Sequence, residues 1–207
     1  MPLDNAKALR SMDDVPANHY RQIREKLRRR IARRLNFAHR VLDLGSGSCE
    51  LDLFLATHNE QQVIGVDLSP DKFPSNETRG NRVQCRRADA GNLHFVGTGS
   101  TDAVLSTRAL HEMKNPAEVL TEAHRVLQPG GIILIVDFPR NSLAQRLWNE
   151  EYYVPHEVAH MLTEAGFAGV ESGLIARKQL IWAEGRKDGV AAREQSFRNA
   201  IHKSDGG

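Results

Sequence analysis

Polar residues stand at or just beyond the ends of four short apolar segments of this 207-residue chain. They are Asp43, Asp67, Asp89 and Ser106. A carboxylate accepts hydrogen bonds from hydroxyl and amino groups, and a serine can both donate and accept. Because ligands of parallel sheets bind beyond the carboxyl ends of the strands, we expect these residues to converge on one small-molecule site.

A glycine-rich segment, Gly45-Ser46-Gly47-Ser48-Cys49, follows the first apolar run, Val41–Leu44. The run is short enough for a buried strand, and the residues after Cys49 continue as a helix without a breaker. A strand, a glycine turn and a helix form the first unit of nucleotide-binding α/β sheets. Glu50 stands where a dinucleotide fingerprint needs its third glycine, which disfavours NAD.

Four further strands and a terminal strand pair are predicted to carry these residues. The strands cover 62–67, 82–86, 101–106 and 132–136, and the pair covers 170–175 and 179–183. Helices are predicted from about 51, over 115–127 and over 155–165, with a short or broken helix in 69–81. Strands that alternate with helices indicate one α/β sheet that is mainly parallel.

Three regions are predicted along the chain. Residues 1–38 form an arm and a basic helix of the same domain, 39–184 form the main domain, and 185–207 form a polar tail. The basic helix spans 19–35 and has apolar residues at every fourth position. Its charges permit either a nucleic-acid contact or a solvated face above a packed stripe. The net charge of only +2 favours the solvated face.

The composition indicates an ordinary globular protein, with 26% charged and 40% hydrophobic residues. Its two cysteines, Cys49 and Cys85, do not make a disulfide framework, so we expect a reducing, cytoplasmic environment. No apolar run approaches the ~20 residues that a membrane span requires. The first residues lack the apolar core of a signal peptide.

Five segments together resemble the class I S-adenosylmethionine-dependent methyltransferases, in particular the group called type 11. They read VLDLGSGSCE, VIGVDLSP, Asp89-Ala90, LSTRALHEM and AHRVLQPGGIILIVDF, within residues 39–184. The resemblance implies a Rossmann-like, doubly wound sheet of seven strands in the order 3-2-1-4-5-7-6, the last strand antiparallel. It also implies S-adenosyl-L-methionine as cofactor and transfer of its methyl group to an acceptor.

The resemblance assigns roles around the cofactor. The glycine segment (Gly45, Ser46, Gly47) places its backbone against the methionine part, which Asp43 helps to hold. Asp67 accepts from both ribose hydroxyls, and Leu68 packs on the adenine. Asp89 accepts from the adenine amino group, and the Ala90 N–H faces the adenine ring. Ser106 offers its backbone to the amine of the methionine part.

Cys49 departs from the family pattern, which usually has a third glycine at this position. Its position at a helix start favours a thiolate, whereas its small size favours a packed residue, and the packed residue is the preferred interpretation.

No Asn-Pro-Pro-Tyr type motif follows the fourth strand, so a small-molecule acceptor is favoured over nucleic acid. An RNA- or protein-directed enzyme and a cofactor-binding module without chemistry remain alternatives.

The acceptor is expected on the side of the cavity away from the glycine segment. One wall follows the fourth strand and contains Arg108, His111 and Glu112, and a second follows the fifth strand and contains Trp148, Tyr152 and Tyr153. The N-terminal arm, with His19 and Tyr20, is the third wall. His111 is the candidate general base because the ordinary pKa of histidine lies near neutrality. Tyr153 is expected to contact the acceptor. The alternative for His111 is a hydrogen bond within its loop.

A His-Glu-x-x-His sequence, His156 to His160, matches the signature of zinc peptidases. Both histidines are expected on the helix face opposite the apolar stripe, which points them toward solvent. No third ligand follows at a suitable distance, so no metal site is predicted.

Overall fold

The structure is a computed structural model that describes residues 17–76 and 80–189, with side chains from Ile23 onward. The predicted arm before residue 17, the side chains of His19 and Tyr20, and the tail beyond residue 189 lie outside the described part.

Seven strands form one sheet. They are β1 (Arg40–Leu44), β2 (Gln62–Asp67), β3 (Val83–Arg87), β4 (Thr101–Thr107), β5 (Leu127–Asp137), β6 (Phe167–Ile175) and β7 (Leu180–Lys187). Their order is β3-β2-β1-β4-β5-β7-β6. β1 to β5 pair in parallel, and β7 is antiparallel to both β5 and β6. The predicted order and the antiparallel last strand are confirmed.

In the part of the chain that the structure describes, five α-helices connect or cover the strands. They are α1 (Ala17–Arg34), α2 (Glu50–His58), α3 (Pro116–Val126), α4 (Leu143–Trp148) and α5 (Pro155–Glu164). Single turns of 3₁₀ helix lie at Pro70–Lys72 and Leu110–Glu112. The first of these agrees with the prediction of a short helix, since a proline-rich segment cannot sustain the α-helical ladder.

Several elements differ from the predictions. β5 begins at Leu127 rather than Ile132, because Leu127 already pairs with Thr101 of β4. The pairing register then shifts and resumes at Ile132 beside Ala103. The short helix α4 was not predicted, since its six residues give little periodic signal. β7 continues to Lys187, four residues beyond the predicted end of this strand at residue 183.

The core has one apolar cluster on each face of the sheet. One cluster includes Leu120 of α3 and Val158 of α5, packed with alternate residues of the central strands. The other includes Ile31 and Leu35, which bring α1 onto the sheet beside Leu55 of α2. Side chains of a buried parallel strand alternate between two covered faces, which is why its sequence reads as a continuous apolar run.

Several basic residues of α1 have partners within the protein. The guanidinium of Arg28 lies 4.6 Å from the ring centroid of Phe54, and that of Arg30 lies 4.4 Å from Trp182. Arg34 donates to Glu184 over 2.7 Å. These contacts favour the interpretation of a packed helix with a solvated face.

Among the described helices, none is both long and apolar enough to cross a membrane.

Candidate active site

A cavity of about 1590 Å³ runs along the carboxyl ends of β1, β2 and β4 and extends below the segment after β5. The predicted polar residues of these strand ends meet in it as expected for a parallel sheet. Its walls include most of the predicted ligand-binding residues, namely Asp43, Gly45, Ser46, Gly47, Asp67, Leu68, Asp89 and Ala90.

The glycine segment turns sharply at the end of β1. The N–H groups of Gly45 and Ser46 both donate to the Val66 carbonyl, over 2.9 and 3.0 Å. Gly45 and Gly47 have φ values of +73° and +53°, which glycine adopts without a steric penalty. A Cβ on Gly47 would meet no atom within 4 Å, so this backbone faces open cavity and is accessible to a ligand.

Asp67 ends β2 and connects to the glycine segment. Its Oδ2 accepts from the Gly47 N–H over 2.9 Å, and its Oδ1 accepts from the Ser69 N–H over 2.9 Å. Each carboxylate oxygen retains a further lone pair for a ligand hydroxyl. Leu68 is 66% exposed beside it, an unusual degree for a leucine and suitable for packing against a flat apolar ligand.

Asp89 and Ser106 differ in their access to the cavity. Asp89 lines it, and its Oδ1 accepts from the Gly91 N–H over 2.8 Å. Ser106 is buried, and its hydroxyl donates to the Leu44 carbonyl over 3.0 Å. The next residue, Thr107, lines the cavity instead. The prediction that Ser106 offers backbone to the cofactor remains a prediction, and its side chain connects β4 to β1.

Asp43 and Asp52 form a buried pair of carboxyl groups behind the glycine segment. Asp43 is 1% exposed and Asp52 is fully buried. Burial, followed by the charge of Asp52, raises the pKa of Asp43 well above its ordinary value. Burial also raises the pKa of Asp52 to about 7. Two adjacent carboxylates cannot both ionise without water, so we infer that they share a proton near neutral pH.

His111 lies between two acidic groups on the opposite wall, with its side chain only 3% exposed. Its Nδ1 is 2.7 Å from Asp137 Oδ1, and its Nε2 is 3.2 Å from Glu150 Oε2. Burial opposes the charged ring, but the hydrogen bond and charge of Asp137 outweigh it and raise the pKa of His111. Asp137 also accepts the His111 backbone N–H over 3.0 Å, which fixes the ring's position.

Aromatic rings surround His111. The ring of Tyr152 lies 4.5 Å from it, and Phe138 packs between Tyr152 and Trp148. Tyr152 donates its hydroxyl to Glu150 over 2.8 Å. The prediction placed both Tyr152 and Tyr153 on this wall. Tyr152 lines the cavity, whereas Tyr153 packs against the core cluster that contains Val158. Alternate side chains of an extended segment point in opposite directions, so only one of the pair can face the cavity.

Comparison with known proteins identifies the family of this site. A family model described as a methyltransferase domain matches residues 42–135. An uncharacterised methyltransferase of Synechocystis is 31% identical over 152 residues, which cover 66% of this chain and 70% of that one. The chain belongs to the class I S-adenosylmethionine-dependent methyltransferases.

Other methyltransferases match this chain over a smaller share of their length or are similar to it only in fold. The 27-O-demethylrifamycin SV methyltransferase of Amycolatopsis mediterranei is 33% identical over 110 residues, half of this chain and 40% of that one. A Burkholderia thailandensis 1,6-didemethyltoxoflavin-N1-methyltransferase, solved with S-adenosylhomocysteine, superposes with a TM-score of 0.63 at 24% identity, covering 78% of each chain.

The methyltransferase cofactor fits the residues of this cavity. The backbone at Gly47 is open to the cavity, the Asp67 carboxylate stands beside it, and Leu68 offers an exposed apolar surface. These groups suit, in turn, the amino-acid end, the ribose and the adenine of S-adenosylmethionine. The individual roles remain predictions from the family pattern.

Sequence reasoning did not find four residues of this methyltransferase site. Asp52 had a detectable signal, an acid within the apolar run Leu51–Leu55. Asp137 was noted only as a strand end, and Glu150 had no signal because its loop has no periodicity. No partner was predicted for Cys85, whereas the structure joins it to Cys49 in a disulfide, so Cys49 is not a thiolate in this state. Cys49 is fully buried in a core cluster, in agreement with the preferred interpretation of a packed residue.

The His-Glu-x-x-His segment of this methyltransferase lies on α5, away from the cavity walls. His156 and His160 are exposed, as predicted. Glu157 accepts from the Val154 N–H and from Arg140, both over 2.9 Å, and so caps the start of α5. These contacts give the glutamate a structural role in beginning the helix.

Proposed function

We propose that this methyltransferase transfers the methyl group to a small-molecule acceptor whose nucleophilic atom loses a proton to His111. The observation that carries the proposal is the buried imidazole held between Asp137 and Glu150 on the cavity wall. A histidine fixed by a carboxylate at one nitrogen can present the other nitrogen to a substrate, as general bases require.

The bound cofactor supplies an electrophilic methyl group on its sulfonium sulfur. The residues of this chain orient the acceptor against it, because in-line displacement needs the nucleophile in a fixed position and direction. Asp137 accepts from Nδ1–H, which leaves Nε2 for the acceptor's hydroxyl or amine. In the described arrangement Glu150 contacts Nε2 and favours a proton on that nitrogen. The acceptor therefore has to displace this carboxylate, and Nε2 has to release its proton to solvent, before His111 can accept the acceptor's proton.

The walls near His111 suit an acceptor with an apolar ring or chain and one polar group. Phe138, Trp148 and Tyr152 exclude water, which strengthens the hydrogen bonds of the buried histidine. Glu112 and Arg108 lie at the cavity wall and offer one charge of each sign to a polar substituent. Such a mixture is typical of pockets for small molecules.

Two observations support a small acceptor over RNA or a protein. Relatives of this chain act on small molecules, among them 27-O-demethylrifamycin SV and 1,6-didemethyltoxoflavin. Three basic side chains of α1 contact Phe54, Trp182 and Glu184, which supports the interpretation of this helix as packed on the domain. We further propose that residues 39–184 form the methyltransferase domain and that α1 is packed as part of it.

The test is incubation of the full chain with labelled S-adenosylmethionine and a metabolite extract, followed by identification of labelled products. His111→Ala should reduce turnover at least tenfold while cofactor affinity stays within about twofold. His94→Ala, an exposed histidine outside the cavity, is the matched control and should retain full turnover. Label that appears only in RNA or protein, or a fully active His111→Ala variant, would contradict the proposal.

A further inference from the structure

A disulfide joins the end of the glycine segment to the edge of the sheet. Cys49 follows Ser48 directly, Cys85 lies on β3, and their Cα atoms are 6.6 Å apart. Gly65 of β2 is the register partner of Cys85 and carries no side chain between the two. The bond therefore crosses β2 and attaches the cofactor-binding turn to β3, the edge strand beyond β2.

Cys49 holds a backbone conformation that its side chain disfavours. Its φ and ψ are 54° and 20°, the left-handed region, at the residue that begins α2. The family usually has glycine here, which adopts this conformation freely. A residue with a Cβ stays in the left-handed region only when its surroundings fix it, and strain of this kind concentrates at functional sites. The disulfide is a constraint that fixes it.

The buried carboxyl group of Asp52 lies next to the two cysteines. Its carboxyl is fully buried, and its side-chain hydrogen bond is the one it makes with Asp43, with which it shares a proton. One of its oxygens and the two sulfur atoms all lie within 4.8 Å of one another. A protonated carboxyl at this distance can donate a hydrogen bond to a neighbouring sulfur that becomes a thiolate.

The two sulfurs differ in their access from outside. Cys85 lines a second cavity of about 320 Å³, together with Val83, Gln84 and Arg86 among others, whereas Cys49 is fully buried. An incoming thiolate therefore reaches Cys85. Cys49 is the leaving sulfur, and the start of α2 favours a thiolate there because its free N–H groups and dipole attract negative charge.

We propose that Cys49 and Cys85 form a reversible redox site whose disulfide state sets the affinity of the glycine segment for S-adenosylmethionine. A thiol of the glutathione class, as thiolate, attacks Cys85 Sγ and forms a mixed disulfide with it. The Cys49 thiolate leaves, stabilised by the start of α2 and by a hydrogen bond from the protonated Asp52 carboxyl, which keeps its proton. A second thiolate attacks the external sulfur and releases Cys85 as a thiolate, which solvent protonates. The site gains two electrons, and the two external thiols become one disulfide.

Reduction should weaken cofactor binding. Without the bond, Cys49 can leave the left-handed region, and the Gly45–Ser48 turn loses its fixed shape. Binding then carries the cost of ordering this turn, which a preorganised site avoids. We expect the reduced protein to bind S-adenosylmethionine about five- to tenfold more weakly than the oxidised protein.

The test uses the full chain equilibrated in glutathione disulfide or in excess dithiothreitol. Thiols are counted by alkylation under denaturing conditions and mass spectrometry, and S-adenosylmethionine affinity is measured by calorimetry. Hydrogen exchange of residues 45–50 without cofactor is an independent readout and should be faster after reduction. Cys85→Ser should bind like reduced wild type in both buffers.

Cys49→Gly is the matched control because glycine adopts the left-handed conformation without the disulfide. This variant should bind S-adenosylmethionine within about threefold of the oxidised protein, and redox buffer should not change its affinity. Two free thiols after treatment with glutathione disulfide would overturn the proposal. Equal affinities of oxidised and reduced wild type would overturn it as well, and so would a Cys49→Gly variant as weak as Cys85→Ser.

Discussion

The carboxyl group of Asp52 lies where a side chain on Gly65 would have to be. A Cβ built on Gly65 would come within 2.1 Å of Asp52 Oδ2 and 2.8 Å of Ser46 Oγ. The missing side chain on β2 therefore allows α2 to lie close to the sheet with a buried acid facing it. This contact places Asp52 beside Asp43 and under the glycine segment, so one absent methyl group positions much of the cofactor site.

Gly65→Ala should destabilise the fold by about 1–3 kcal/mol, the usual cost of overpacking a core. The destabilisation should be smaller in an Asp52→Ala background, because the nearest clash is removed. Urea unfolding of the two single variants and the double variant measures this coupling. Gly173→Ala is the control, since a Cβ there would meet nothing within 4 Å, and it should change stability little. Purely additive effects would contradict the proposed contact.

The buried carboxyl pair should make stability depend on pH. The pKa of Asp52 is about 7 in the folded protein and ~3.9 in an unfolded chain. Between these values the folded state holds a proton that the unfolded state has lost, so the free energy of unfolding falls as pH rises through this window. Asp52→Asn cannot ionise and should be more stable than wild type at pH 8 by at least ~1 kcal/mol.

Thermal unfolding of wild type and Asp52→Asn from pH 4 to 8 measures this difference. Glu151→Gln, an exposed acid with the same change in formal charge, is the control and should follow the wild-type curve. Parallel curves for wild type and Asp52→Asn would show that Asp52 does not titrate in this window.

Asp67→Ala should weaken S-adenosylmethionine binding by roughly 2–4 kcal/mol, because two hydrogen bonds to a charged group are lost. The Gly47 and Ser69 N–H groups also lose their acceptor, but the strand end is not core and the fold should persist. Calorimetry measures the affinity, with Asp71→Ala, exposed on the neighbouring 3₁₀ turn, as control. An unchanged affinity in Asp67→Ala would place the cofactor elsewhere.

Asp137→Asn should lower the pKa of His111, because Asp137 supplies the hydrogen bond and charge that raise it against burial. The titration of the His111 ring by NMR measures this without an identified acceptor. Glu150→Gln, which removes the weaker partner at 3.2 Å, should lower it less. If the pKa of His111 stays the same in Asp137→Asn, the carboxylate does not set the charge of the ring.

Glu157→Ala should destabilise the protein by about 0.5–2 kcal/mol, the usual loss when a helix cap is removed. Glu164→Ala, at the other end of α5 and exposed, should have little effect in the same denaturant titration. The His156→Ala, His160→Ala double variant should leave zinc content and stability unchanged. Stoichiometric zinc that disappears in the double variant would instead indicate a metal site on this helix.

The order of strands and the cofactor-binding edge of the sheet could be predicted from the residue pattern. Apolar runs bounded by glycine or acidic residues marked the strands of the parallel sheet, because a strand covered on both faces needs an uninterrupted apolar sequence. The strand-end acids and the glycine turn then indicated the ligand edge, since parallel strands bring their carboxyl ends together. Asp43, Asp67 and Asp89 could therefore be predicted without coordinates.

Only the tertiary structure decided which side chains meet across long sequence separations. The Asp52–Gly65 contact, the Cys49–Cys85 bond and the position of Glu150 against His111 join different elements, and local periodicity carries no information about such pairs. Tyr152 faces the cavity and Tyr153 faces the core because of the path that one irregular segment takes past the cavity. Packing fixed these relationships because each buried polar group needs its partner at a particular distance, and only the assembled sheet sets those distances.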